Sequence, residues 1–391
     1  MIKHSLPILI ITIILTAAAS GCGRAAAPNG VNIIAPNGVS IIAPNGDEIM
    51  APNGGGLKVV CTLFPLYDWT KNIIGEAADK TDVSLLMKNG ADLHNYQPTV
   101  DDIVTISECD LFIYVGGVSD GWVAGALRGA VNKDIVVINL LETLGGAVKP
   151  VVIIEGMQDD GDERAQTPAG GADSGGDEAN GGAGRGAGAE KAGRVATGAG
   201  VFAGAGAYWE GAECDEHVWL SLKNAQFFCA QIENALSGLD SDNASMYKRN
   251  AAEYIGKLAA LDSQYRKAVA EAPSRTLLFG DRFPFRYLTD DYGVDYYAAF
   301  PGCSTETEAS FETVIFLANK TDELGLGSVI ITENSDGQIA KTVAANTKNK
   351  NQRILTLNSM QAAPSGAAAA GSYLSIMESN LRVLRDALGV K

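Results

Sequence analysis

Histidine is nearly absent: three occur in 391 residues, and the chain carries 30 Lys and Arg against 46 Asp and Glu, a formal net charge of −16. So acidic a composition offers no basic footprint for phosphates, which excludes nucleic acid as a partner, and it suits a cationic ligand better. The six cysteines, Cys22, Cys61, Cys109, Cys214, Cys229 and Cys303, are widely spaced and form no CxxC pair, which excludes the usual zinc module. Beside Cys22 five remain, so an exported chain keeps at least one unpaired. Beyond the N-terminus there is no run of about 20 apolar residues, the length needed to span a bilayer.

What is present begins with an export-type leader: Lys3 and His4, an apolar run from Leu6 to Leu15, then "TAAASGC". Cleavage before Cys22 would resemble lipoprotein processing, so residues 1–21 are expected to be a signal peptide and Cys22 a lipidated anchor; an ordinary secretory leader is the alternative. A tandem repeat follows, "APNGVNII", "APNGVSII", "APNGDEIM" and "APNG". Eight residues are too few for a solenoid unit and Pro-Asn-Gly signals a turn, so residues 22–56 read as a tether. Residues 156–211, rich in Gly, Ala and acids, bury too little apolar surface to offset chain entropy and read as a disordered insertion.

Outside these tracts, short β-type runs alternate with amphipathic segments. "LKVVCTLF", "DVSLLM", "DLFIYVGG" and "DIVVINL" form one group of strands, and "RTLLFG", "VDYYAAF", "GSVIITE" and "RILTLN" a second. The alternation predicts an α/β fold of two lobes, each a mostly parallel four-stranded sheet: residues 57–240, a connecting helix over 241–273, and residues 274–391. A ligand is then expected between the lobes, at the carboxyl ends of the strands. His94 lies in "KNGADLHNYQPTVDDI", ahead of a helix that Thr99 and Asp102 open as a capping box. His217 lies in "CDEHVWLSLKNA", ahead of a helix with Ser221 as its N-cap. Asp281 closes "RTLLFGD" and Asn358 closes "RILTLN". Two imidazoles with oxygen donors suit a divalent transition metal; the other reading is that each histidine simply hydrogen-bonds locally.

These segments resemble the bacterial metal-binding lipoproteins that serve ABC importers of zinc and manganese. "GADLHNYQPTVDDI" is similar to that family's G-x-D-x-H-x-Y-x-P-T-x-x-D segment and "DEHVWLSLKNA" to its D-P-H-V-W-L-D-P segment, which implies His94 and His217 as metal ligands. In the second lobe "FGDRFPFRYL" departs from the family's third histidine segment, G-H-x-A-F-x-Y, so the resemblance puts Asp281 in the third position, with a register uncertain by one. Asn358 in "LTLNSMQ" stands where an acid is usual. Glu333 matches a glutamate near the cleft, or else caps the following helix. Tyr96 and Trp219 are read as groups that hold the imidazoles.

The resemblance implies a zinc carrier, with manganese as the alternative cation, working as a monomer anchored outside the cytoplasm and delivering to an ABC permease. Ligand imidazoles must be neutral, so affinity is expected to fall through the histidine range, near about 6.5. Two rival functions remain. A zinc hydrolase would use His94, His217 and Asp281 with Glu333 as its base, and a surface adhesin would use the same fold.

Overall fold

The computed structural model describes residues 33–34, 40–41, 56–88, 90–158, 213–304, 308–362 and 371–390. The expected leader, Cys22, most of the tether and most of the 156–211 insertion lie outside the described residues. Within the repeat, β1 (Ile33–Ile34) and β2 (Ser40–Ile41) pair antiparallel on either side of one Pro-Asn-Gly, a hairpin turn sequence.

The first lobe is a parallel sheet of β3 (Leu57–Cys61), β4 (Thr81–Leu85), β5 (Leu111–Tyr114) and β6 (Val136–Asn139), in the order β4-β3-β5-β6. Every residue of β5, "LFIY", is buried, as a central parallel strand covered on both faces requires. Helices α1 (Phe64–Ile74), α2 (Val100–Ser107), α3 (Val123–Gly129), α4 (Leu140–Leu144) and α5 (Leu222–Leu239) belong to this lobe. The expected caps are present: Thr99 and Asp102 form a capping box on α2, and the Ser221 hydroxyl accepts from the amide of Asn224 at the start of α5.

The connecting helix α6 (Ala244–Glu271) follows a single 3-10 turn. Its 28 residues span about 42 Å at 1.5 Å per residue. Tyr247, Ala251, Tyr254, Leu258, Leu261, Tyr265 and Ala268 recur every three or four positions and are buried, which makes one continuous apolar stripe.

The second lobe repeats the topology of the first. Its strands are β7 (Thr276–Phe283), β8 (Asp295–Pro301), β9 (Ser328–Thr332) and β10 (Arg353–Leu357), in the order β10-β9-β7-β8 and all parallel. Helices α7 (Arg286–Tyr292), α8 (Phe311–Leu324), α9 (Gln338–Asn346) and α10 (Tyr373–Ala387) surround it. In each lobe the first strand lies between the second and third, so the crossovers diverge there and open a crevice at the strands' carboxyl ends.

Helix α6 ties the lobes together. Tyr254 donates its hydroxyl to Asp68 of α1 at 3.0 Å, and Tyr265 donates to the Met377 carbonyl of α10 at 2.7 Å. One buried apolar cluster runs from Leu57 through α6 to Leu388. The stretch 156–158, placed by sequence within the irregular insertion, is instead seated on the second lobe. The Gln158 amide donates to the Ala299 carbonyl at 2.9 Å, and its side-chain oxygen accepts from the Ser310 amide at 2.7 Å. These hydrogen bonds hold it despite its glycine-rich context.

Candidate metal centre

His94 sits in a 3-10 turn, Leu93–Asn95, between β4 and α2. The Asp92 carboxylate accepts from the His94 amide at 3.0 Å and fixes that turn. Asp92 also reaches the other lobe, accepting from the Gln361 side-chain amide at 3.3 Å and lying 3.8 Å from the Arg282 guanidinium. His217 ends the segment that enters α5 and is fully buried. One oxygen of Asp215 accepts from both the His217 amide and its Nδ1, each at 3.0 Å.

The two imidazoles meet edge on. His94 Nε2 and His217 Nε2 are 3.1 Å apart. Each ring's other nitrogen has its own acceptor: Asp215 for His217, and for His94 the Ser119 hydroxyl at 3.0 Å, with Glu216 Oε2 at 3.6 Å. Those acceptors favour the Nδ1–H tautomer in both rings, which turns two Nε2 lone pairs toward one point. A third acceptor, Gln361 Oε1, lies 3.2 Å from His217 Nε2. With both rings in that tautomer no donor stands between the three acceptors, so they repel one another and a cation would relieve that repulsion. Nitrogens bound tetrahedrally to zinc at about 2.0–2.1 Å are separated by about 3.3 Å, close to the spacing already present.

The surrounding loops are built to hold this geometry. After β5 the chain passes through Gly116 and Gly117, both at positive φ (+93° and +83°). A Cβ on Gly117 would lie 2.2 Å from Glu216 Oε1, so only glycine lets the loop close on that carboxylate. Glu216 in turn accepts from the Ser119 amide at 2.9 Å. Burial raises the Glu216 carboxyl above its ordinary range and pushes Asp120, which accepts from the Val115 and Gly116 amides, up to about 7. Burial, with the charges of His217 and Arg282 beside it, pushes His94 down to about 3. That shift favours the neutral ring, the form in which an imidazole binds a cation.

The remaining sequence candidates take other places. Strand β7 runs on to Phe283, so Asp281 lies inside it, at an irregularity between Phe279 and Arg282, rather than at its end. Its Oδ2 accepts from the Thr332 amide and hydroxyl of β9, both at 2.8 Å, and its Oδ1 from the Arg282 amide. Asp281 also lines a polar pocket of about 390 Å³ with Asp92, Arg282 and Thr332. Among the described residues, the group of ligand-type side chains that converges is His94, His217 and Cys303, and Asp281 is not in it. Asn358 lies just past β10, where its side-chain oxygen accepts from the Met360 amide and supports Met360 at φ +57°. Glu333 accepts from the Ser359 amide and hydroxyl at 2.7 and 2.9 Å, so both its oxygens hold the loop that presents Gln361, and it is not a free base. Trp219 donates its indole N–H to the Ser359 carbonyl at 2.8 Å and packs 5.3 Å from His217, ring to ring. Tyr96 donates to Asp102 in the α2 cap.

Four side chains at the histidine pair were not singled out in the sequence: Asp215, Glu216, Gln361 and Cys303. Two acids directly before His217 were a usable signal. Cys303 also had one, its place just beyond β8, because in parallel sheets ligands gather at strand ends. Gln361 had none beyond sharing the loop of Asn358.

The family model described as "Zinc-uptake complex component A periplasmic" matches residues 59–387. Zinc-binding protein AdcA of Streptococcus pyogenes (serotype M6) is 25% identical over 338 residues, covering 85% of this chain and 56% of that protein. The chain thus spans about half the length of the streptococcal relatives it matches. High-affinity zinc uptake system protein ZnuA of Bacillus subtilis (strain 168) is 27% identical over 335 residues, with coverage of 86% and 88%. Among solved structures, the Zn(II)-bound ZnuA-like domain of Streptococcus pneumoniae AdcA superposes with a TM-score of 0.59 at 23% identity, over 85% of this chain and 99% of that one. The metal-dependent lipoprotein YcdH of Bacillus subtilis gives 0.60 at 24% identity, over 85% and 100%. At these identities the two structures establish the two-lobed α/β fold.

Proposed function

Because the chain belongs to the family of periplasmic zinc-uptake complex A components, we propose that it captures a zinc ion outside the cytoplasm, grips it with His94 and His217, and delivers it to an ABC-type permease. The observation that carries this reading is the pair of buried Nε2 atoms 3.1 Å apart, each ring held from behind by its own acceptor. Metal-ligating histidines are commonly oriented in this way, since an acceptor on one nitrogen fixes the tautomer and makes the other a better donor of electrons. The relatives AdcA and ZnuA, named for zinc binding and zinc uptake, support zinc as the cargo.

The protein is a carrier and catalyses no reaction of its own. Glu333, the base a hydrolase would need, is occupied by Ser359. Imidazole pairs with few oxygen donors favour zinc over manganese, which prefers carboxylate, carbonyl and water. Asp92 of the first lobe and Asp281 of the second line one polar pocket together with Arg282 and Asp336. Lipidation at Cys22 tethers the carrier at the membrane surface, and it works as a monomer.

Native mass spectrometry with elemental analysis of the full chain tests the proposal. One zinc per chain is expected, and both His94→Ala and His217→Ala should lose it. Stoichiometric zinc retained by both variants would overturn it.

A further inference from the structure

We infer that Cys303 is a third ligand, so that two imidazoles and one thiolate grip the cation and select a thiophilic metal. This rests on the reading of His94 and His217 as its ligands. The Nε2 or Nδ1 atoms of the two histidines and the Cys303 sulfur lie within 4.8 Å of one another. With zinc–sulfur and zinc–nitrogen bonds of about 2.3 and 2.0–2.1 Å, tetrahedral sulfur and nitrogen ligands are about 3.5 Å apart. A closure of at most about 1.3 Å therefore converts the present arrangement into a coordination shell.

Two independent features hold the sulfur at this point. A backbone hydrogen bond from Glu216, one residue before His217, reaches the Cys303 sulfur, which burial and the neighbouring acids Asp215, Glu216 and Glu213 otherwise hold as a thiol until a cation takes the place of its proton. Gly302 packs so closely that a Cβ there would lie 2.9 Å from His217 Cε1 and 2.8 Å from the Phe283 carbonyl. The turn after β8 is thus pressed against the imidazole, and the next side chain is delivered to its edge. Among the described residues Cys303 is a free thiol. Gln361 Oε1, at 3.2 Å from His217 Nε2, is in position for the fourth place.

On binding, a metal–sulfur bond forms, the S–H bond breaks and its proton leaves for solvent; no electrons are exchanged. A thiolate in the shell favours zinc over manganese, which prefers hard oxygen ligands. The donor set also differs from the His94, His217, Asp281 and Asn358 that the resemblance implied, because the second lobe supplies sulfur where Asp281 was expected.

Cobalt(II), a coloured stand-in for zinc, distinguishes the possibilities. One equivalent added to the full chain should give tetrahedral visible bands and a near-ultraviolet thiolate-to-cobalt charge-transfer band. In Cys303→Ser the charge-transfer band should vanish while one cobalt still binds, and zinc affinity should drop at least about tenfold. Its preference for zinc over manganese should also narrow. Cys214→Ser, altered at a cysteine outside the converging group, should keep the band. Cobalt bound without the band in the unmodified chain, or a band that survives in Cys303→Ser, would overturn the sulfur assignment and leave the histidine grip intact. No cobalt and no zinc bound by the unmodified chain would overturn both.

Discussion

Replacing Asp215 by Asn should weaken zinc binding although Asp215 never touches the metal. In the present geometry Asp215 Oδ1 accepts from His217 Nδ1 at 3.0 Å, which keeps a proton on Nδ1 and the lone pair on Nε2. Asn is nearly isosteric, but its NH2 can donate to Nδ1, which would shift the ring proton to Nε2 and block the metal-facing atom. Losing an outer partner of a metal-bound histidine costs about 10–100-fold in affinity, or about 1.4–2.7 kcal/mol. Competition against a fluorescent zinc chelator at neutral pH measures this directly. Circular dichroism serves as a fold control, since the Asp215 backbone also binds Lys149 and Tyr287. A change of less than about threefold with the fold intact would refute the orienting role and the tautomer assignment built on it.

Three further outcomes follow. Gly302→Ala should lose at least about tenfold in zinc affinity and about 1–3 kcal/mol in stability, because the new methyl meets His217 and the Phe283 carbonyl; titration and thermal melts check both. Trp219→Phe leaves the Ser359 carbonyl without its indole donor, so the melting temperature should fall by the equivalent of about 1–3 kcal/mol while zinc stoichiometry stays at one. The third concerns Asp120, pushed up to about 7 by burial. Between about 4 and 7 the folded state holds a proton there that the unfolded chain does not, so this group lowers stability as pH rises, by about 1.4 kcal/mol per unit. Asp120→Asn should therefore stabilise the metal-free protein more at pH 8 than at pH 5, by on the order of 2–3 kcal/mol, and a difference independent of pH in denaturant titrations would refute it.

The eight strands were legible because parallel strands buried on both faces must be written as short β-branched and aromatic runs, and "LFIY" and "SVIIT" leave little else to be. Helix starts were equally open, since Thr99, Asp102 and Ser221 carry their caps in the side chains themselves. The first lobe's half of the candidate site stood out for a related reason: His94 and His217 are two of the three histidines in the chain. The second lobe's half was not. Asp281 looked like a strand-end ligand, but β7 extends three residues past Gly280, and its carboxylate binds Thr332 of the neighbouring strand. Asn358 reads as a donor until its oxygen is seen to support the turn at Met360. Cys303 has no partner cysteine at metal-site spacing, and only the packing of Gly302 on His217 brings it near the pair.

The convergence of two Nε2 lone pairs on one cation is the central claim, and long-range proton–nitrogen NMR of the histidine rings tests it most directly. With three histidines in the chain, the spectrum assigns itself through His94→Gln and His217→Gln. Before zinc, His94 and His217 should both show a protonated Nδ1 and a bare Nε2. One equivalent of zinc should move both Nε2 resonances to metal-bound positions together and leave Nδ1 protonated. A proton on either Nε2 in the metal-free protein, or zinc that shifts Nδ1 or only one ring, would contradict it.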